Sequence, residues 1–273
     1  MTDRCCSPLA LPLPLTLMLM LTGLALLLGR TPRAAAQHST AAQPLLVSAA
    51  ISLGDVLKTL APSFSRAQRV PVPQWNLASS GTLQRQIEQG APVDVFLSAG
   101  GRQMDSLEQA GLLLKGTRRN LISNQLVLVV PSHRRAVLGF GDLRSPRLRR
   151  IAIGDTTVPA GEFAREVLRH YRLTAHVQPR LVPLGSVRAV ASAVASGHAD
   201  AGFVYRSDVV GVSNLRIAAI APSGSHKPIL YSGAVTKRSR QAGIARAYLD
   251  GLGSAAARRV FIQAGFSPLP AGR

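Results

Sequence analysis

Apolar and polar positions along the chain follow two periods that take turns. Leu45-Leu46-Val47, Val93 to Leu97, Leu126 to Val130, Ile151 to Ile153 and Ala201 to Tyr205 are short apolar runs, and each predicts a buried strand. Between them the spacing becomes helical. Val56, Leu57, Leu60 and Phe64 predict a helix over Asp55 to Phe64, and Met104, Leu107 and Ala110 predict another that stops at Gly111. Further helices are predicted from about Gly161 to His170, from Ala189 to Ala195 with its stop at Gly197, and from a cap at Ser254 to Ala264. A strand followed by a helix, repeated many times, predicts an α/β fold with mainly parallel sheets and flanking helices.

The beginning of the chain breaks this alternation. Leu15 to Leu28 is an almost continuous apolar run, preceded by Arg4 and followed by Ala34-Ala35-Ala36. Basic start, apolar stretch and small residues in that order predict a secretory signal peptide over residues 1–36, cut after Ala36. An uncleaved anchor is the competing reading, but Pro12 and Pro14 interrupt the apolar stretch. Both cysteines, Cys5 and Cys6, precede the apolar run, so the exported chain offers no disulfide, no thiol nucleophile and no cysteine for a lipid. Export without an anchor or disulfide predicts a periplasmic protein.

Composition narrows the class. The chain has 273 residues, 47% of them hydrophobic and 16% charged, which suits a globular protein of two small lobes. Lys and Arg outnumber Asp and Glu by 32 to 13, for a formal charge of +19. Such a balance fits an anionic ligand, a membrane surface or nucleic acid. The arginines are dispersed, and the densest run, Arg144 to Arg150, has no interleaved aromatic residue, so no nucleic-acid partner is expected.

Four strand-to-helix junctions share one chemistry. They are Ala49-Ala50-Ile51-Ser52-Leu53, Ala78-Ser79-Ser80-Gly81-Thr82-Leu83, Gly154-Asp155-Thr156-Thr157-Val158-Pro159-Ala160-Gly161 and Gly185-Ser186-Val187-Arg188. Ser52 stands where a helix N-cap would, with Asp55 three residues on as in a capping box, and Pro159 suits a first helical turn. Each junction puts free N–H groups at the positive end of a helix, where anions bind. Any one serine there is sufficiently explained by capping; four such junctions in one exported α/β chain point to an anion.

These segments, with Gln86-Ile87-Glu88-Gln89-Gly90-Ala91-Pro92-Val93-Asp94-Val95-Phe96-Leu97-Ser98-Ala99 and Gly197-His198-Ala199-Asp200-Ala201-Gly202-Phe203-Val204-Tyr205, resemble the periplasmic molybdate-binding proteins of ABC transporters. The resemblance runs in order along the exported chain. It implies a two-lobe periplasmic-binding-protein fold of type II, with the ligand in the interlobe cleft. Residues 37–120 and 235–273 would form lobe 1 and residues 121–234 lobe 2, with crossings near Asn120 to Val130 and Leu230 to Val235. It implies that Ser52 and Ser80 from lobe 1, and Ala160, Val187 and Tyr205 from lobe 2, hold the anion, Ala160 and Val187 through their backbone N–H. Molybdenum would be held only as the oxyanion. Molybdate, and tungstate beside it, is the implied ligand, with no cofactor, a membrane permease as partner, and a monomeric state.

The chemistry of the ligand agrees with that donor set. A deprotonated tetrahedral dianion only accepts hydrogen bonds, so its site needs hydroxyls and N–H groups and no carboxylate. Two positions depart from the family's pattern: Ser186 and the pair Gly100-Gly101 stand where acidic residues are common. Both departures bear on which anion is preferred. The alternatives are a binding protein for another oxyanion such as sulfate, and an exported hydrolase using Ser80. No G-x-S-x-G or H-E-x-x-H motif supports an enzyme, and the histidines are dispersed in polar contexts.

Overall fold

The computed structural model describes residues 43–134 and 136–270. The expected signal peptide, Cys5, Cys6 and His38 lie outside the described residues. Among the described residues, ten strands form two five-stranded sheets. The first contains β1 (Leu46–Ala50), β2 (Gln74–Ala78), β3 (Val95–Ser98), β4 (Arg119–Ser123) and β10 (Leu230–Val235), in the order β2-β1-β3-β10-β4. The second contains β5 (Leu126–Pro131), β6 (Ile151–Gly154), β7 (Leu181–Leu184), β8 (Ala201–Tyr205) and β9 (Leu215–Ile220), in the order β7-β6-β8-β5-β9. Helices α1 (Gly54–Gln68), α2 (Ser80–Glu88), α3 (Gly101–Gln109), α7 (Ala242–Leu252) and α8 (Ala255–Gln263) adjoin the first sheet in sequence. Helices α4 (Pro159–His170), α5 (Thr174–Val177) and α6 (Val187–Ala195) belong to the second.

The sheets are mixed. Strands joined through a helix, β1 with β2 and β3 and β6 with β7 and β8, pair parallel. The strands next to the crossings, β10 against β3 and β4 and β5 against β8 and β9, pair antiparallel. A segment that passes straight between sheets has no helix to carry it back to the starting edge, so it enters against its neighbours. The chain crosses at Asn124 and Gln125, between β4 and β5, and returns between β9 and β10.

Helix α4 illustrates how sequence sets an element and its burial. Ala160, Phe163, Ala164, Val167 and Leu168 recur at helical spacing and are buried, while Glu162, Arg165, Glu166 and Arg169 take the other face. Burying Phe163, Val167 and Leu168 contributes roughly 1.5–3 kcal/mol each. Pro159 occupies the first helical position, where its missing N–H costs nothing. The chain leaves the helix through Arg172, in the left-handed region at φ 53°. Gly161 must be glycine, because a Cβ there would lie 2.0 Å from the Gly154 carbonyl oxygen. Arg165 donates from one nitrogen to the carbonyls of Gly154 (3.1 Å) and Gly161 (2.8 Å), fixing the start of the helix to the end of β6.

Strand register places the junctions. Ala50 of β1 is level with Ala78 of β2, so the chain emerges as Ile51-Ser52 and Ser79-Ser80 side by side. Gly154 is level with Leu184 in the second sheet, which brings out Asp155 and Gly185 together. These are carboxyl ends of parallel strands, the position where open α/β sheets take ligands.

Candidate functional site

A small cavity of about 10 Å³ lies between the two sheets, bordered by Ala50, Ile51, Ser52, Ser79, Ser80, Ala99, Val158, Pro159, Val187 and Tyr205. That is about the room a single water needs, so the two sides must part before any larger guest can enter. Among the described residues, no charged side chain borders it. Of the five residues singled out from the sequence, Ser52, Ser80, Val187 and Tyr205 border the cavity, and Ala160 follows the bordering Pro159. A wider groove of about 610 Å³ opens between α1, α7 and α8 against Leu60, Phe64, Tyr248 and Val260. Its walls are chiefly apolar, and the start of α8 beside it is already capped by Ser254, whose hydroxyl accepts from the Ala257 N–H at 3.1 Å.

The donors converge by helix starts. Ser80 and Val187 are the first residues of α2 and α6, and Ala160 is the second of α4, so their N–H groups precede the first intrahelical bond. Neighbouring N–H groups are already occupied. Ser79 caps α2 by accepting from Thr82 N–H, and Ser186 caps α6 by accepting from Ala189 N–H. Ser186 therefore stands at an N-cap, where a short oxygen-bearing side chain suffices without an acidic charge. Three helix dipoles thus present their positive ends at one small space.

Ser52 corrects the expectation of a cap. It lies in a single 3-10 turn, Ile51–Leu53, ahead of α1, and its hydroxyl makes no capping bond. That turn moves the N-cap position on to Leu53, and Ser52 Oγ lies instead 2.9 Å from the hydroxyl of Tyr231. Asp55 forms no capping box; it pairs with Arg188 of α6 at 2.7 Å. Ser80 Oγ accepts from the Ala99 N–H at 3.0 Å, which leaves its own proton to donate elsewhere. Tyr205 Oη has only a long bond, 3.5 Å, to the Ala99 carbonyl.

Electrostatics favour donors here. Tyr205 and Tyr231 are fully buried, and burial pushes both phenols well above their ordinary value, so both keep their protons at neutral pH. Asp155 spends its carboxylate on its own loop, accepting from the Thr157 N–H and hydroxyl, both at 2.7 Å. Asp208 accepts from the Tyr205 N–H at 3.1 Å and borders an adjoining cleft with Ser52, Asp55 and Arg188. Burial raises its carboxyl to about 7, against the opposing pull of that N–H and of Arg188. Arg206 is exposed and pairs with the Gln125 side chain.

The two sides of the cavity touch. Gly81 N–H donates to the Thr157 carbonyl at 3.0 Å, Ser79 Oγ lies 2.9 Å from Thr157 Oγ1, and Arg102 pairs with Glu162 at 3.0 Å. Gly100 also belongs to this contact, since a Cβ on it would meet the Pro159 ring at 2.9 Å. Asn124, Tyr231 and Asp208 are not singled out by sequence reasoning, and Thr157 only as part of the third junction. Of the first three, Asn124 carries a signal, as a polar residue between two apolar strands.

Comparison with known proteins agrees with this architecture. Residues 45–267 match the family model described as bacterial extracellular solute-binding protein. The molybdate-binding protein ModA of Haemophilus influenzae is 33% identical, covering 83% of this chain and 91% of its own. The structure of the Azotobacter vinelandii periplasmic molybdate-binding protein superposes with a TM-score of 0.74 at 28% identity, covering 83% of this chain and all of the other. A more distant relative, 26% identical over 90% of this chain and 95% of its own, is an aconitate isomerase from a Pseudomonas species. Two mixed sheets, a cleft between them and a match along almost all the described residues place the chain: it belongs to the family of bacterial extracellular solute-binding proteins and has the molybdate-binding proteins among its relatives.

Proposed function

We propose that this protein captures a tetrahedral oxyanion, molybdate first and tungstate beside it, and delivers it to the membrane permease of an ABC importer. The observation that carries this reading is a small uncharged cavity into which hydroxyls and the N–H groups of three helix starts converge. Ser52, Ser80, Ala160, Val187 and Tyr205 supply five donors and no carboxylate, the set a fully deprotonated dianion requires. Each hydrogen bond to a charged group contributes about 1.5–3 kcal/mol net. After closure and immobilisation, the total supports micromolar affinity or tighter, about −8 kcal/mol.

The protein acts by binding and not by catalysis. The hydroxyl partners of Ser52 and Ser80 are the Tyr231 hydroxyl and a backbone N–H, so neither serine has a base to remove its proton. The lobe bounds drawn at 120/121 and 234/235 shift by a few residues, because β4 and β10 belong whole to the first sheet; the two sheets act as the two lobes of a monomer that closes on its anion. Removal of residues 1–36 on export leaves the protein in the periplasm, where the anion enters. The test is a thermal-shift screen of the exported chain, from Gln37 on, against molybdate, tungstate, sulfate, phosphate and chromate. A ligand that binds only the folded state raises the melting temperature by mass action. A large shift with molybdate and tungstate is expected. A shift with sulfate or phosphate alone contradicts the choice of ligand, and no shift with any of the five contradicts the class.

A further inference from the structure

We infer that Tyr231 and Asn124 are positioning residues that fix the direction of the Ser52 hydroxyl, making the site a pure donor and excluding protonated oxyanions. The inference rests on the anion-binding reading of the cavity.

The chain of bonds has one permitted direction. Asn124 lies at the crossing between β4 and β5, and its Oδ1 accepts from the Gln125 N–H at 2.9 Å. That bond fixes the amide, so Nδ2 is the atom that faces Ser207 Oγ at 2.9 Å and Tyr231 Oη at 3.4 Å. An amide nitrogen only donates, so Tyr231 Oη accepts from Asn124. The phenol is fully buried, and among the described residues Ser52 Oγ, at 2.9 Å, is the one acceptor within reach of its proton. Tyr231 therefore donates to Ser52. With a lone pair of Ser52 taken, its own proton turns toward the cavity.

The phenol is held in place for this task. It packs edge-on against Tyr205 at 5.7 Å and against Phe266 at 5.3 Å between ring centroids. Ser80 is directed in the same way by the Ala99 N–H. Both serines face the ligand as donors. A deprotonated dianion is matched, whereas hydrogen phosphate, a dianion of the same shape that carries one proton, meets two serine protons pointed at it and no carboxylate to take its own. Selectivity against a protonated oxyanion is set by a residue that does not border the cavity.

Tyr231→Phe removes the constraint and leaves the ring packing. Ser52 can then rotate and accept. Asn124→Asp reverses the chain: the carboxylate takes the phenol's proton in hydrogen bonding, so Tyr231 accepts from Ser52. The added charge acts on molybdate and hydrogen phosphate alike, so their affinity ratio isolates the effect. The experiment measures molybdate affinity by titration calorimetry and phosphate affinity by competition, both at pH 8, for the parent and both variants, with melting temperatures as the control for folding. The expected result is a phosphate-to-molybdate affinity ratio at least ten-fold higher in each folded variant than in the parent. An unchanged ratio in the folded variants overturns the inference while leaving molybdate binding in place. Absence of molybdate binding by the parent overturns the inference together with the reading beneath it.

Discussion

The Gly81 N–H donates to the Thr157 carbonyl at 3.0 Å, and a Cβ on Gly81 would stand 2.6 Å from that same oxygen. One contact thus joins the first turn of α2 on the first sheet to the loop before α4 on the second. Only glycine permits the approach. Gly81→Ala is expected to hold the two sides apart and to weaken anion binding roughly ten-fold or more, about 1.4 kcal/mol. The ligand-free melting temperature should change little, since α2 itself tolerates alanine. Calorimetry on the variant checks this, and parental affinity in the variant would show that closure does not pass through this contact.

Ser80 carries two tasks at once. Its Oγ satisfies the buried Ala99 N–H and points its proton at the cavity. Ser80→Ala strands that N–H, at a cost of about 1–3 kcal/mol in stability, and removes one donor. The variant should lose both melting temperature and affinity. Ser52→Ala should also lose both, because the buried Tyr231 hydroxyl then has no acceptor for its proton. Denaturant melts beside calorimetry check both variants; parental stability in either contradicts the bond assigned to that serine.

Asp208 predicts a pH dependence. Its carboxyl sits at about 7 in the folded protein, against about 3.9 in an unfolded chain. Between these values the folded state holds the proton and the unfolded state does not. The resulting stability is fully present below about 3.9 and is lost as pH rises through 7. Asp208 is half-buried, so screening reduces the effect to roughly 1–2 kcal/mol. Asp208→Asn keeps an acceptor for the Tyr205 N–H and should gain on the parent in melting temperature between pH 5 and pH 8. Parallel curves for the two proteins count against it. A dianion bound nearby disfavours the ionised carboxylate, so parental affinity should also rise as pH falls from 8 to 6, and the variant's should not.

Arg188 and Asp55 form an ion pair at 2.7 Å across the cleft, but their side chains are 43% and 78% exposed. Such pairs contribute about 0–1 kcal/mol and weaken with salt. Arg188→Ala is expected to lower affinity a few-fold at low ionic strength and hardly at all at high. A large loss that persists in salt would give Arg188 a direct role at the anion.

Much of the fold could be read from periodicity. The strand Ala201–Tyr205 stands where apolar spacing put it, and α4 and α6 end at the expected His170 and Ala195 but start two residues before the expected Gly161 and Ala189, at Pro159 and Val187. Strand β2 escaped because Gln74-Trp75-Asn76-Leu77-Ala78 is an edge strand with no fully buried position, so it carries no apolar run. Strand β9 is likewise an edge. At the cavity, the helix starts at Ser80, Pro159 and Val187 were legible as local signals. Ser52 was misread as a cap, since an inserted 3-10 turn leaves no local mark. The Tyr231 hydroxyl and Asn124 depend on bonds spanning 179 and 107 residues, which no local pattern encodes.

The most direct test is isothermal titration of molybdate into the exported protein and into the double variant Ser52→Ala with Ser80→Ala. The parent is predicted to bind one molybdate at micromolar affinity or tighter, and the folded double variant to lose at least a hundred-fold, about 2.7 kcal/mol. Equal affinity in the two proteins contradicts the site, and no binding by the parent contradicts the function.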